Sequence, residues 1–168
     1  MRLAVTGTPG TGKTTVTDHL ETTLDVIHLN EVIRNEGLTS GHDEERDSAV
    51  ADLSAVEAWL ADRDDVLVES HLAHQFEMDR VVVLRCHPEQ LAQRLRERGE
   101  PERTAVENAE SEALDVILSE AVERHGEENV YEIETTARDP AAVATDVQSV
   151  IDGTREPSAG TVSYIDYL

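Results

Sequence analysis

A loop near the start of the chain carries the strongest chemical signal. Residues 7–14 read GTPGTGKT, which matches the pattern G-x-x-x-x-G-K-[ST] in full and follows an apolar segment. Glycines at these positions let backbone N–H groups curl around a phosphate, and the N-terminus of the following helix favours negative charge. We therefore predict a nucleotide-phosphate site formed by Gly10, Gly12, Lys13, Thr14 and Thr15.

Lys13 is the only lysine among 14 basic residues, and all the others are arginines. We expect its ammonium to bridge the β- and γ-phosphate oxygens. The Thr14 hydroxyl is placed to ligate Mg²⁺, and Thr15 to reach the α-phosphate from the next turn. The loop thus indicates ATP or GTP chemistry with Mg²⁺, and it leaves the acceptor open.

The third apolar segment ends in an acid and a histidine, Glu69 and His71. If this segment lies beside the loop in the sheet, Glu69 can hold Mg²⁺ through water. His71 can orient a water molecule or the acceptor phosphate. The alternatives are a strand-end carboxylate that faces solvent and a histidine that is packed in a loop.

Four arginines fall within ten residues of an otherwise acidic chain: Arg94, Arg96, Arg98 and Arg103. Guanidinium groups suit the charge that builds on a phosphoryl group during transfer. Arg94 and Arg98 are four residues apart and so share a helix face. The alternative is a surface network with neighbouring glutamates. We predict a catalytic role for Arg98, substrate contacts for Arg94 and Arg103, and a solvent-facing Arg96.

Fewer residues indicate where the phosphoryl acceptor binds. Arg34, on a short predicted helix, is a candidate ligand of the acceptor phosphate. The polar stretch 41–47 that follows is either a mobile acceptor-binding segment or a solvated loop.

Apolar segments alternate with helical patterns along the chain, which predicts βαβ units and a doubly wound, five-stranded parallel α/β sheet. Several segments are continuous apolar runs, as expected for strands buried on both faces. The predicted strands are Arg2–Thr6, Val26–Leu29, Val66–Glu69, Val81–Arg85 and Val130–Thr135. The predicted helices are Lys13–Leu24, Asn30–Glu36, Asp52–Asp62, Pro88–Arg98, Pro101–His125 and Pro140–Ile151.

Composition limits the function classes. A chain of 168 residues suits one domain, and the single cysteine, Cys86, excludes an internal disulfide. No apolar run approaches a membrane span and the chain begins directly in a strand, so we expect a cytoplasmic protein. The net charge of −22 argues against non-specific nucleic-acid binding. Because 39% of the residues are apolar and recur periodically, adaptation to high salt explains this charge better than disorder does.

Several motifs together resemble the archaeal and eukaryotic adenylate kinase isoenzyme 6 family. They are the loop at 7–15, the acidic run at 43–47, Glu69-x-His71, Arg98-Gly99 and Glu107-Asn108. The similarity extends in order and spacing to about Ile151, and it is far more specific than the loop alone.

This resemblance implies a kinase domain over residues 1–152 with the P-loop nucleoside monophosphate kinase fold. The monophosphate-binding segment would span about 28–51, the short lid about 97–107 and a tail 153–168. The family also implies phosphoryl transfer from ATP to AMP, some ATPase activity, and a role in small-subunit rRNA maturation through a small-subunit ribosomal protein. Arg98 would contact an ATP phosphate.

The chain departs from the family pattern at two positions and in its tail. Glu69 stands where aspartate is common, and Thr104 stands where the lid often has lysine, which leaves Arg103 to supply the charge. The tail is either frayed or docked on the core or a partner. Two rival functions remain open: an ATP-driven ribosome assembly factor, and a small-metabolite kinase of the same fold.

Overall fold

A computed structural model describes all residues from 1 to 168. Five strands form one parallel sheet in the order β2-β5-β1-β6-β7, and β3 and β4 form a separate antiparallel hairpin. The doubly wound parallel sheet predicted from the sequence is confirmed. The strands are β1 (Arg2–Thr6), β2 (Asp25–His28), β3 (Thr39–Asp43), β4 (Ser48–Ala51), β5 (Val66–Glu69), β6 (Arg80–Arg85) and β7 (Val130–Glu134).

Seven α-helices connect and flank the strands. Asp52 and Asp139 each accept a backbone N–H at a helix start, and Pro88 and Pro140 occupy first-turn positions as predicted. None of the helices has the length and apolarity needed to cross a bilayer. The helices are α1 (Lys13–Asp18), α2 (Leu29–Glu36), α3 (Leu53–Leu60), α4 (Pro88–Glu97), α5 (Glu102–Ala113), α6 (Val116–His125) and α7 (Pro140–Ile151).

The sheet is buried on both faces, which explains its continuous apolar runs. Along β5, Val66 and Val68 belong to one hydrophobic cluster and Leu67 to another on the opposite face. Side chains alternate between the faces of a strand, so every position of a doubly covered strand requires an apolar residue.

Two predicted helices differ from those observed. The single helix expected over Pro101–His125 is wrong: it is broken into α5 and α6 at Asp115, whose φ is 55°. Aspartate tolerates this left-handed conformation, and here its carboxylate accepts a hydrogen bond from Arg85. The first helix ends at Asp18 instead of Leu24. Its sequence is rich in threonine, whose β-branched side chain favours helices weakly.

The two segments left open by the sequence are both structured. The polar stretch forms the exposed β3–β4 hairpin. The tail docks on the edge strand β7, where the Ser158 N–H donates to the Val130 carbonyl at 3.1 Å. Tyr164 is buried and donates from its hydroxyl to Glu134 at 2.8 Å. The tail is therefore part of the folded domain.

Candidate functional site

The phosphate loop connects β1 to α1 at the carboxyl edge of the sheet. Gly10 and Gly12 have φ of 95° and 92°, a conformation that strains other residues. A Cβ at Gly10 would also lie 3.1 Å from Leu95 Cγ. The predicted glycine positions are therefore required by the backbone and by the close packing of α4.

Lys13 lies inside this loop. Its ammonium is buried and donates to the carbonyls of Gly7 at 2.9 Å and Thr8 at 3.2 Å. Burial lowers the pKa of Lys13 to about 8, against the opposing effect of the Glu69 and Glu112 carboxylates. An anion beside this group favours its charged form, so the site is suited to phosphate.

The carboxylate of Glu69 lies beside the loop, as predicted. Glu69 is 7% exposed at the end of β5, and its neighbours in register are Val5 on β1 and His28 on β2. His28 Nδ1 donates to Glu69 Oε2 at 2.9 Å. The hydroxyl of Thr14, which lines the same cleft, makes no hydrogen bond to another protein group. A carboxylate and a hydroxyl are hard oxygen donors, and these two fit Mg²⁺ that retains several waters.

His71 lines the cleft next to Glu69. Burial, and after it the charge of Lys13, lowers the pKa of His71 to about 4. The imidazole is therefore neutral near pH 7. Its Nδ1 lies 3.5 Å from the Asn30 amide nitrogen, and Asn30 in turn accepts from the Ser70 hydroxyl at 2.7 Å. His71 can thus orient a ligand as a neutral donor or acceptor.

Two of the four clustered arginines reach the cleft. Arg94 donates to the Gly10 carbonyl at 3.2 Å, which ties α4 to the phosphate loop. Arg98, at the C-terminal end of α4, is exposed in the cleft and lies close enough to lower the pKa of Lys13. The guanidinium of Arg98 makes no hydrogen bond to the protein, so its donors can face a phosphate.

The other predicted arginines lie outside the cleft. Arg96 pairs with Glu102 on the surface, as predicted. Arg103 is also exposed and donates to Glu107 at 2.8 Å, as in the surface-network alternative. Arg34 is exposed on α2 and is absent from the lining of the cleft. Substrate contacts by Arg34 and Arg103, and by Arg94 within the cleft, stay predictions.

The cleft has a volume of about 730 Å³, within the range of small-molecule sites. One side of the cleft was not predicted from the sequence. It is formed by the turn after β7, where Arg138 is held by an ion pair to Asp146 at 2.9 Å. The signal was available, because parallel sheets bind ligands at the carboxyl ends of their strands. The lining residues are Pro9, Gly10, Thr11, Gly12, Lys13, Thr14, Thr15, Val16, Asn30, Glu69, His71, Arg94, Glu97, Arg98, Thr135, Arg138, Pro140 and Val143.

Comparison with solved structures supports the fold. A shikimate kinase from Bacteroides thetaiotaomicron aligns with a TM-score of 0.53 at 17% identity, over 90% of this chain and 98% of that chain. A sulfotransferase from Alicyclobacillus acidocaldarius aligns with a TM-score of 0.55 at 14% identity, over 98% and 87%. At these identities the likeness concerns the fold alone.

Sequence comparison is more specific. A family model described as "AAA domain" matches residues 3–115. Two relatives named "Putative adenylate kinase" match over the full length of both chains: one from Natronomonas pharaonis at 66% identity and one from Halobacterium salinarum at 60%. A third with that name, from Methanothermobacter thermautotrophicus, is 43% identical over 99% of this chain and 98% of its own. The chain therefore belongs to the AAA-domain family of P-loop proteins and to the family of these relatives named "Putative adenylate kinase".

Proposed function

We propose that this protein is a nucleoside monophosphate kinase that transfers the γ-phosphoryl group of ATP to AMP and forms two ADP. The observation that carries the proposal is the convergence of Lys13, Thr14, Glu69 and Arg98 on one cleft at the phosphate loop. The family membership and the names of the relatives support the same reaction.

Each of these groups has a role in an in-line transfer. Lys13 binds phosphate oxygens, Thr15 the α-phosphate, and Arg98 the charge that develops on the transferred group. Thr14 and, through water, Glu69 would hold Mg²⁺, which neutralises phosphate charge when it is bound. His71 orients the acceptor phosphate or a water molecule, and Arg94 keeps the loop against α4.

The acceptor would bind to the segment of about residues 28–51, which comprises α2 and the hairpin. Arg34 is its candidate phosphate ligand. The segment of about residues 97–107, at the junction of α4 and α5, would act as the lid, with Arg103 contributing charge. The first segment contributes Asn30 to the lining of the cleft and the second contributes Glu97 and Arg98, and closure of such segments over substrate would bring further groups to the site.

A second function as an ATP-hydrolysing factor in small-subunit rRNA maturation is favoured by one observation. The net charge of −22 suits a basic ribosomal protein as partner and disfavours bare RNA. The same charge supports a cytoplasm with high salt as the place of action.

The decisive experiment measures ADP formation and ATP hydrolysis by the protein in high salt, with and without AMP. ADP formation that depends strongly on AMP supports the kinase. Hydrolysis that is indifferent to AMP but stimulated by a basic ribosomal protein supports the assembly factor.

Lys13→Ala is expected to lower both activities by at least 100- to 1,000-fold, roughly the effect of removing one charge-stabilising donor. The matched control is Arg96→Ala, which removes a surface cation from the same acidic chain and should leave turnover unchanged. Retained turnover in a folded Lys13→Ala protein, checked by circular dichroism, would contradict the assignment of the phosphate loop.

A further inference from the structure

A buried carboxylate lies behind the phosphate loop. Glu112, on α5, is 3% exposed, and its Oε2 accepts a hydrogen bond from the Thr8 hydroxyl at 2.6 Å. Its Oε1 accepts from Arg85 Nε at 2.9 Å and from the Cys86 backbone N–H at 3.0 Å. Both oxygens are therefore fixed by donors, and the negative charge of Glu112 is paired with the guanidinium of Arg85.

Thr8 links this carboxylate to the chemistry of the loop. Its side chain bonds to Glu112, and its carbonyl accepts from Lys13 Nζ at 3.2 Å and from the Thr11 hydroxyl at 2.9 Å. Thr8 is 2% exposed, so water cannot replace the Glu112 contact without a rearrangement. The position of Thr8 thus determines both the side-chain contact that anchors the loop and one of the carbonyls that accept from the Lys13 ammonium.

The loop needs such an anchor because its backbone is intrinsically adaptable. Gly7, Gly10 and Gly12 all have positive φ, and glycine restricts the chain less than any other residue. Arg94 holds Gly10 from α4 on one side of the loop, and Glu112 holds Thr8 from α5. These two helices pack against each other, so they form a common support for the loop.

We propose that Glu112 is a positioning residue for the phosphate loop, which it holds through the Thr8 hydroxyl in the conformation that binds the triphosphate of ATP. This inference rests on the proposed function. Without the anchor, a smaller fraction of molecules has a competent loop, and the apparent dissociation constant rises by the inverse of that fraction. Bound phosphates order the loop again, so turnover at saturating ATP is preserved.

The first test compares Thr8→Val, which removes the hydroxyl, with Thr8→Ser, which keeps it. A hydrogen bond to a charged group corresponds to roughly a 10- to 100-fold change in an equilibrium. We expect Thr8→Val to raise the KM for ATP about tenfold with kcat within about twofold, the signature of lost binding that the ground state and the transition state share. Thr8→Ser should restore the wild-type KM. Unchanged KM in Thr8→Val would overturn the proposal.

The control is Arg80→Met, which removes a donor to the carbonyls of Val150 and Ile151 at the start of β6, the end of the sheet opposite the phosphate loop. It should lower the melting temperature without changing the KM for ATP. An equal rise of KM in this variant would show that general loss of stability explains the Thr8 effect, which would also overturn the proposal.

The second test shows whether Glu112 acts through Thr8. Glu112→Ala is unsuitable because it leaves Arg85 buried without this partner, so Glu112→Gln is used. Glu112→Gln should raise the KM for ATP in the wild-type background. It should not raise the KM further in Thr8→Val, because the effects of changing two residues in contact are not additive. Fully additive effects would overturn the proposal.

Direct calorimetry with MgATP separates this inference from the proposed function. If the wild-type protein binds no MgATP, the proposed function fails. If the wild type binds MgATP and Thr8→Val binds it with equal affinity, the role of Glu112 alone is refuted.

Discussion

The two ends of α5 make ion pairs of opposite character. At its start, Arg103 is 62% exposed and reaches Glu45 of the hairpin at 3.5 Å. Near its end, Glu112 pairs with Arg85, and both side chains are at most 4% exposed. The residue types are the same at both ends, but water screens one pair and is excluded from the other. Burial, and not the number of charges, therefore decides which contact holds the fold.

The buried end extends across the sheet. Arg85 also pairs with Glu132 of β7, which is fully buried, and with Asp115. Burial by itself lowers the pKa of Arg85, but the carboxylates of Glu112 and Asp115 outweigh it and leave the pKa raised. The tail completes this network, because the Thr161 and Val162 N–H groups donate to Glu132. The exposed end also forms a network, in which Glu107 accepts from both Arg103 and Arg46, but each of these side chains is at least 34% exposed.

The largest effect is expected from Arg85→Met. It leaves Glu112 and Glu132 buried without their cation, which costs roughly 3–5 kcal/mol in the free energy of unfolding. Urea unfolding at a fixed KCl concentration measures the loss. A loss below about 1 kcal/mol would contradict the distinction between the two ends.

Truncation after Gly153 should have a smaller effect. It removes the donors to Glu132 from the tail and exposes the edge of β7, so we expect a loss of about 1–3 kcal/mol, the range for an unsatisfied buried group. Thermal unfolding of the truncated chain measures it. Removal of Leu168 alone, which is 62% exposed, is the control and should leave the melting temperature unchanged.

Arg103→Ala should have the smallest effect. An exposed pair contributes less than about 1 kcal/mol, and salt screens it further. A double-mutant cycle with Glu45→Ala, measured at low and high KCl, gives the coupling energy. A coupling above about 2 kcal/mol that persists at high salt would show that the hairpin contact is structural, and the comparison would fail.

Local patterns predicted most of the fold. The strands Arg2–Thr6 and Val66–Glu69 and the helix Pro140–Ile151 have the predicted bounds, because apolar runs and a proline at the helix start are local signals. The break at Asp115 could not be predicted in this way. Helical periodicity continues across it, and the left-handed residue is held by Arg85, which is 30 positions away.

The site residues divide in the same way, into those that local patterns predict and those that depend on tertiary contacts. The phosphate loop was evident because its spacing is itself the geometry that binds phosphate. Arg94 and Arg103 are both arginines of one cluster, so the sequence predicts substrate contacts for both, yet only Arg94 lines the cleft. Arg138 was missed because no motif names it, although its place after the carboxyl end of β7 is a topological signal for the cleft.

The sequence by itself determined the phosphate loop, the parallel sheet and the acidic surface, since each depends on residue types at short spacing. Only the tertiary structure decided which charges are buried. Glu112 reads as one of many glutamates on a helix, and its contacts with Thr8 and Arg85 join residues 104 and 27 positions apart. Packing brings these groups into a space without water, and there one carboxylate can hold a loop that sequence patterns do not connect to it.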